Sequence, residues 1–312
     1  MNTPASLSVV ICGYTVDRLD DLCAAVESVR RQRTPVAELV LVTDHSAELA
    51  ARVRERFPDL RIVPNRERQG LSGARNTGVA AVGGEVVAFL DDDAVARPDW
   101  SGRLLEGYRD PRVLGVGGMV RAWWETGRPG WFPPEFDWVV GCCYRGMPER
   151  RSAVRNFIGA NMSFRRSAIL AAGGFRTDLG RVGTRPLGCE ETELCLRIAA
   201  RDREGVLLYE PAAVVRHHVP AARTRWAYFR SRCYAEGLSK AAVARHAGAG
   251  PALASERAYL RSTVTRAFAR GLRPGSGSET ATSAALAAGV GATVLGYAAG
   301  RLSGAATGGG AP

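Results

Sequence analysis

Three consecutive aspartates, Asp91, Asp92 and Asp93, end the apolar run EVVAFL (residues 85–90). Crowding three carboxylates is unfavourable unless a cation or hydrogen-bond donors offset their repulsion. Oxygen donors of this kind suit Mg²⁺ or Mn²⁺, and such an ion also binds a diphosphate. Glu190 and Glu191 open a segment with helical periodicity. Acids in a first turn complement the helix dipole, and a carboxylate kept ionised there can serve as a general base. His217 and His218 follow a short apolar run and are two of only four histidines in the chain. Either could complete a metal shell with the aspartates, and mixed oxygen–imidazole ligation leans toward Mn²⁺. Residues 70–78 (GLSGARNTG) are small enough for the backbone to approach a ligand, and Arg75 among them can meet a diphosphate. The stretch matches neither a P-loop nor a dinucleotide fingerprint.

These residues need a scaffold, and the hydropathy pattern supplies one. Leu7 to Cys12, Glu38 to Thr43, Leu60 to Val63 and Glu85 to Leu90 are short apolar runs that read as strands. Helical patterns fall between them at Asp17 to Arg31, Glu48 to Arg56 and Leu71 to Val82; in the first, Leu19, Leu22, Cys23, Val26 and Val29 line one face. Strand and helix in alternation predict an α/β fold with a mostly parallel sheet flanked by helices. Ligands of such sheets bind beyond the carboxyl ends of the strands. Cys12, Gly13 and Tyr14, then Asp44, then the three aspartates all fall at those ends. An isolated acidic turn is ordinarily just solvated; this placement reverses that judgement.

Farther along, Pro98 to Arg109 reads as a helix and Val113 to Val120 as a strand. Residues 121–147 look irregular and hold four of the six tryptophans, either a satellite hydrophobic cluster or a wall facing a second substrate. Asn156 to Phe164 reads as a strand, with a turn at Gly173–Gly174–Phe175. Glu190 to Arg201 is a helix with Leu194, Cys195 and Ile198 inward, followed by two short strands, Val206 to Tyr209 and Ala213 to Arg216.

The chain has 312 residues and a net charge of +11, which is unevenly placed. Residues 216–275 hold twelve Lys or Arg and two acids, so the part before them is nearly neutral. That distribution, with no recognition motif, argues against nucleic acid as a partner. The stretch carries helical patterns at Trp226 to His246 and Ala254 to Arg270. A linker follows at Gly271 to Ser278, then an uncharged Ala/Gly-rich stretch from Thr280 to Gly300 that meets the length for spanning a bilayer. A basic segment before an apolar one fits attachment to an anionic cytoplasmic leaflet. Seven cysteines without a CxxC pair, and no readable secretory signal, point to a reducing, cytoplasmic setting. Three parts are expected: a catalytic domain over 1–220, a basic helical extension over 221–275, and a linker with an apolar tail over 276–312.

The set LSVVICGYTVDRLDDLCAAVESVRRQ, ELVLVTDHS, GLSGARNTGVAAVGGEVVAFLDDDAVARPDW, IGANMSFRRSAILAAGGF, GCEETELCLRI and VVRHHV resembles the inverting glycosyltransferases of family 2, with the GT-A fold, over about residues 6–220. The resemblance implies transfer of a sugar from a nucleotide-diphosphate donor to an acceptor hydroxyl on a glycan, lipid-linked carrier or small molecule. It implies that Gly13, Tyr14 and Asp44, beside Cys12, hold the base and ribose, with Arg75 and Asn76 next to the nucleotide. Asp91, with Asp92, falls near the ribose, Asp93 on the metal, and His217 on the metal or diphosphate. The acidic pair is Glu-Glu where the family usually has Glu-Asp, which leaves the base open between Glu190 and Glu191. Thr43–Asp44–His45–Ser46 stands where the family often has Asp-Asp-Gly-Ser. Two rivals are a sugar-1-phosphate nucleotidyltransferase, for which ICGYTVDRLDD is a poor phosphate loop, and a non-catalytic protein that binds nucleotide or membrane.

Overall fold

The computed structural model describes residues 5–181, 187–248, 250, 253, 259–261, 265 and 277–307. Two compact units emerge: residues 1–121, 148–184 and 190–218 form one, and residues 122–147, 185–189 and 219–312 the other.

In the first unit, β1 (Leu7–Gly13), β2 (Glu38–Thr43), β3 (Arg61–Pro64) and β4 (Val86–Asp91) are parallel neighbours in the order β3-β2-β1-β4. Their crossovers are α1 (Leu19–Arg30), α2 (Ala47–Arg56) and α3 (Leu71–Ala81), the helical connections that parallel strands require. The order continues β8 (Asn161–Arg165), β6 (Val113–Trp124), β9 (Val206–Val219) and β5 (Ala94–Ala96), while the two-residue β7 (Ser152–Ala153) pairs with β9. The pairings β4–β8, β8–β6, β9–β5 and β9–β7 are antiparallel. Two helices complete this part, α4 (Trp100–Gly107) and α5 (Arg166–Ala171), and α6 (Glu190–Arg201) precedes β9.

Register explains the functional edge. Cys12 of β1 pairs with Val42 on one side and Asp91 on the other, so three strands finish level with one another. Antiparallel pairing of Ala94 with His217 returns β9 to the same edge, beside Asp93. The core beneath contains Val10, Val42, Phe89, Phe164, Phe175, Leu194 and Ile198. Burying each such side chain contributes about 1.5–3 kcal/mol. Arg197 fixes α6 further by pairing with Glu193 at 2.6 Å and donating to the carbonyls of Ala172 and Gly174.

Several boundaries differ from the periodicity. The first helix is preceded by a 3-10 turn at Val16–Arg18, because Thr15 caps there by accepting from the Asp17 amide. β6 runs four residues past Val120 to Trp124, and β8 starts at Asn161 rather than Asn156. The two strands expected around Pro211 are one, which continues through the proline although it has no N–H for a ladder and the next amide, of Ala212, donates to the Glu210 carboxylate. β5 and β7 are too short to show a pattern.

The second unit contains a 3-10 segment, Pro134–Val140, and two long helices, α7 (Trp226–Ala247) and α8 (Gly277–Thr307). The tryptophan-rich residues 122–147, which strand–helix alternation alone assigns to the first 220 residues, cluster in this unit. There Trp131 packs edge-on against Trp226 and Phe229, and Phe132 against Trp124 and Phe229. α7 and α8 run side by side at backbone distance: a Cβ on Gly237 would lie 2.1 Å from the Thr293 carbonyl. Arg245 donates to the Gly300 carbonyl at 2.9 Å. Most of the expected helix at 254–270 and most of the 271–278 linker lie outside the described residues.

Candidate active site

Asp92 and Asp93 are buried at the end of β4, and Asp91 is half-buried. Asp93 meets two nitrogens: its Oδ1 lies 3.0 Å from His217 Nε2 and its Oδ2 3.2 Å from Arg18 Nη1. The same Arg18 nitrogen sits 3.0 Å from Asp92 Oδ1. The other oxygen of Asp92 is buried with no hydrogen-bond partner. Burial first, then the Asp93 charge, holds the Asp92 carboxyl above the usual range, and Arg18 opposes both. His218 faces elsewhere, its Nδ1 2.9 Å from Asp21 Oδ2, while its amide donates to the Asp93 carbonyl.

Ligand atoms of Asp91, Asp93 and His217 all lie within 4.8 Å of one another. Two carboxylates and an imidazole, beside a buried carboxylate oxygen without a partner, fit a divalent cation of the Mn²⁺ kind.

A cleft opens beside this cluster. It is lined by Cys12, Gly13, Tyr14, Asp44, Asp91 and Asp92, all expected from the sequence, and also by Arg18, Leu71, Ala74 and Arg181. Asp44 is held rigidly, accepting from Asn65 Nδ2 at 2.7 Å and from the Gly70 amide at 2.9 Å. Burial pushes the Cys12 thiol up to about 12, so it stays protonated and cannot act as a nucleophile at neutral pH.

Arg75 is fully buried. Its Nη1 donates to Glu190 Oε1 at 2.6 Å, and its Nη2 to Asp91 Oδ1 at 3.4 Å and to the Gly159 carbonyl at 3.2 Å. The first residue of α6 and the first of the three aspartates therefore share one cation. Glu190 is buried; Glu191, the next residue, is half-buried and accepts from Thr192 Oγ1 at 3.1 Å. Asn76 uses its amide on a neighbouring turn, donating to the Phe175 carbonyl and accepting from the Phe175 N–H.

Three participants escape a reading by sequence. Arg18 lies 74 residues from Asp92, and its one signal is that a cation at a helix start opposes the dipole. Asn65 follows the short β3 without a motif around it. Arg181 is one arginine among many.

The Glycosyl transferase family 2 model matches residues 8–171. A glucosyl-dolichyl phosphate glucuronosyltransferase of Haloferax volcanii is 38% identical over 238 residues, 75% of this chain and 76% of the relative. A mannosyltransferase of Pyrobaculum calidifontis, solved with GDP-Man and Mn²⁺, superposes with a TM-score of 0.62 at 21% identity, covering 96% of this chain and 88% of that one. GalNAc-T7 solved with UDP, GalNAc and Mn²⁺ gives a TM-score of 0.54 at 16% identity, covering 84% and 58%. With its GT-A fold, acidic cluster and level strand ends, the chain belongs to glycosyltransferase family 2.

Proposed function

We propose that this glycosyltransferase inverts the anomeric carbon of a nucleotide-diphosphate sugar as it moves the sugar to an acceptor hydroxyl, with a divalent cation bound by Asp91, Asp93 and His217. The observation that carries the reading is the Arg75 bridge, which ties the acidic pair of α6 to the carboxylates ending β4. Cys12, Gly13, Tyr14 and Asp44 bind the nucleoside portion in the cleft they line. When bound, the cation offsets charge on the departing diphosphate.

Glu191 is the base. Glu190 is committed to Arg75, whereas Glu191 is in the same first turn and partly open. Its carboxylate takes the acceptor's proton as the hydroxyl oxygen bonds to the anomeric carbon and the bond to the diphosphate breaks on the opposite face. The sugar passes through an oxocarbenium-like state, as in related glycosidic chemistry.

The acceptor is a lipid-phosphate-linked sugar. Support comes from the name of the Haloferax volcanii relative and from Thr280–Ser303, a 24-residue stretch of α8 long and apolar enough to cross a membrane. Ala284, Ala287, Val294, Leu295 and Ala298 are exposed along it. Residues 1–220 would then carry the chemistry, with 221–275 and 276–312 holding the enzyme at the cytoplasmic face of a membrane. Incubating the protein with Mn²⁺, a polyprenyl-phosphate glucose and, in turn, UDP-glucuronic acid, UDP-glucose and GDP-mannose tests this. One donor should yield a disaccharide-lipid whose new linkage is inverted by NMR; retention in that product, or transfer only to water, rejects the reading.

A further inference from the structure

Arg18 lines the cleft, and the proposed chemistry leaves it without a role. It starts α1 with no capping hydrogen bond from its side chain, so its presence there does not stabilise the helix. Its guanidinium instead reaches the acids: Nη1 lies 3.0 Å from Asp92 Oδ1 and 3.2 Å from Asp93 Oδ2. The ring of Tyr14 backs it at 5.6 Å. About a quarter of the side chain stays exposed, at 23%, and it lines the cleft with Asp91 and Asp92. A planar cation thus rests on one of the two carboxylates that the divalent ion needs, with an open side toward the space where the donor binds.

Resting on the metal-dependent reading above, we propose that Arg18 serves the donor site twice. Without the divalent ion it is the counter-cation of Asp92 and Asp93. With the ion and donor in place it is a ligand of the donor's diphosphate. Two charge effects follow. A positive charge next to Asp93 opposes a second cation on the same carboxylate, so Arg18 weakens binding of the metal alone. The guanidinium fork matches phosphate oxygens in bidentate fashion, so Arg18 strengthens binding of the diphosphate. A residue that only braced the loop would change both affinities in one direction; Arg18 changes them in opposite directions.

Calorimetric titration of the full chain, stripped of metal, separates these effects. The probes are Mn²⁺ alone, and then UDP and GDP in saturating Mn²⁺. Arg18→Gln should bind Mn²⁺ roughly tenfold more tightly than wild type and the preferred nucleoside diphosphate roughly tenfold more weakly. Arg18→Lys keeps the charge and loses the fork. Its Mn²⁺ affinity should stay near wild type while its diphosphate affinity falls. Arg18→Gln binding Mn²⁺ no more tightly, or either variant holding the diphosphate as well as wild type, overturns the assignment while leaving the proposed transfer intact. Failure of wild type to bind Mn²⁺ at all overturns the metal-dependent reading and this one with it.

Discussion

Arg75 lies between Glu190 and Asp91, with Nη1 2.6 Å from Glu190 Oε1 and Nη2 3.4 Å from Asp91 Oδ1. Phe89 and Phe175 face the guanidinium at 5.8 and 5.5 Å, which keeps water from it. An arginine buried this completely is tolerable only while its charge is balanced. The ion pairs therefore fix where α6 begins relative to the end of β4, and with it the orientation of Glu191.

Removing one partner of a buried pair leaves the other uncompensated, at a cost of about 3–5 kcal/mol. Glu190→Gln should accordingly lower the denaturation midpoint strongly even before activity is considered. Urea unfolding of the variant is the check. A midpoint equal to wild type would show that Arg75 does not depend on Glu190.

Asp93→Asn and His217→Ala each remove a member of the group whose ligand atoms lie within 4.8 Å. An ion that binds only the folded state stabilises it by mass action, so on the proposed reading wild type should melt higher as Mn²⁺ is added and both variants should not. Spin-echo spectroscopy of bound Mn²⁺ should also show nitrogen coupling that disappears in His217→Ala. Coupling that persists would place a different nitrogen on the ion.

Gly73, in the first turn of α3, approaches the loop ahead of it so closely that a Cβ would lie 2.1 Å from the Arg68 carbonyl oxygen. Backbone cannot rotate aside, so Gly73→Ala should cost roughly 1–3 kcal/mol and loosen the loop after Asn65. Gly83 has nothing within 4 Å of its would-be Cβ. Gly83→Ala should therefore melt at or above wild type, and thermal melts of the pair test the contrast.

Glu38 accepts from Ser8 Oγ at 2.5 Å and from the Gly83 amide at 2.8 Å, and these bonds hold its carboxyl below the ordinary 4.5. With the folded pKa below the unfolded one, the contribution is complete above pH 4.5 and is lost as pH falls through the folded value. Glu38→Gln should flatten the dependence of melting temperature on pH below 4.5 and leave a constant offset above it. A profile parallel to wild type throughout would contradict the shift.

The sequence showed most of what is local. β2 and α6 have the bounds that periodicity suggests, Glu38–Thr43 and Glu190–Arg201, because both patterns are long and clean. Cys12, Asp44 and the aspartates could be placed together because parallel strands end on one side. Family membership sets aside the nucleotidyltransferase and non-catalytic readings. What stayed hidden depends on tertiary pairing. Nothing near Arg18 indicates that it meets Asp92 and Asp93, and nothing near Asn76 indicates that its amide is engaged by Phe175, 99 residues away. The proposed choice between Glu190 and Glu191 likewise rests on tertiary structure, since neighbouring acids in a first turn look alike until one is found buried against Arg75 and the other half-buried.

That choice is also the most exposed part of the mechanism. Rapid-quench measurement of a single turnover by Glu191→Gln, with a saturating donor that wild type uses, isolates the proton-transfer step. Loss of a positioned base should slow turnover by about 10²–10⁴-fold, with donor affinity within twofold of wild type. A variant that folds, binds donor and transfers sugar at the wild-type rate would contradict the assignment of Glu191 as the base.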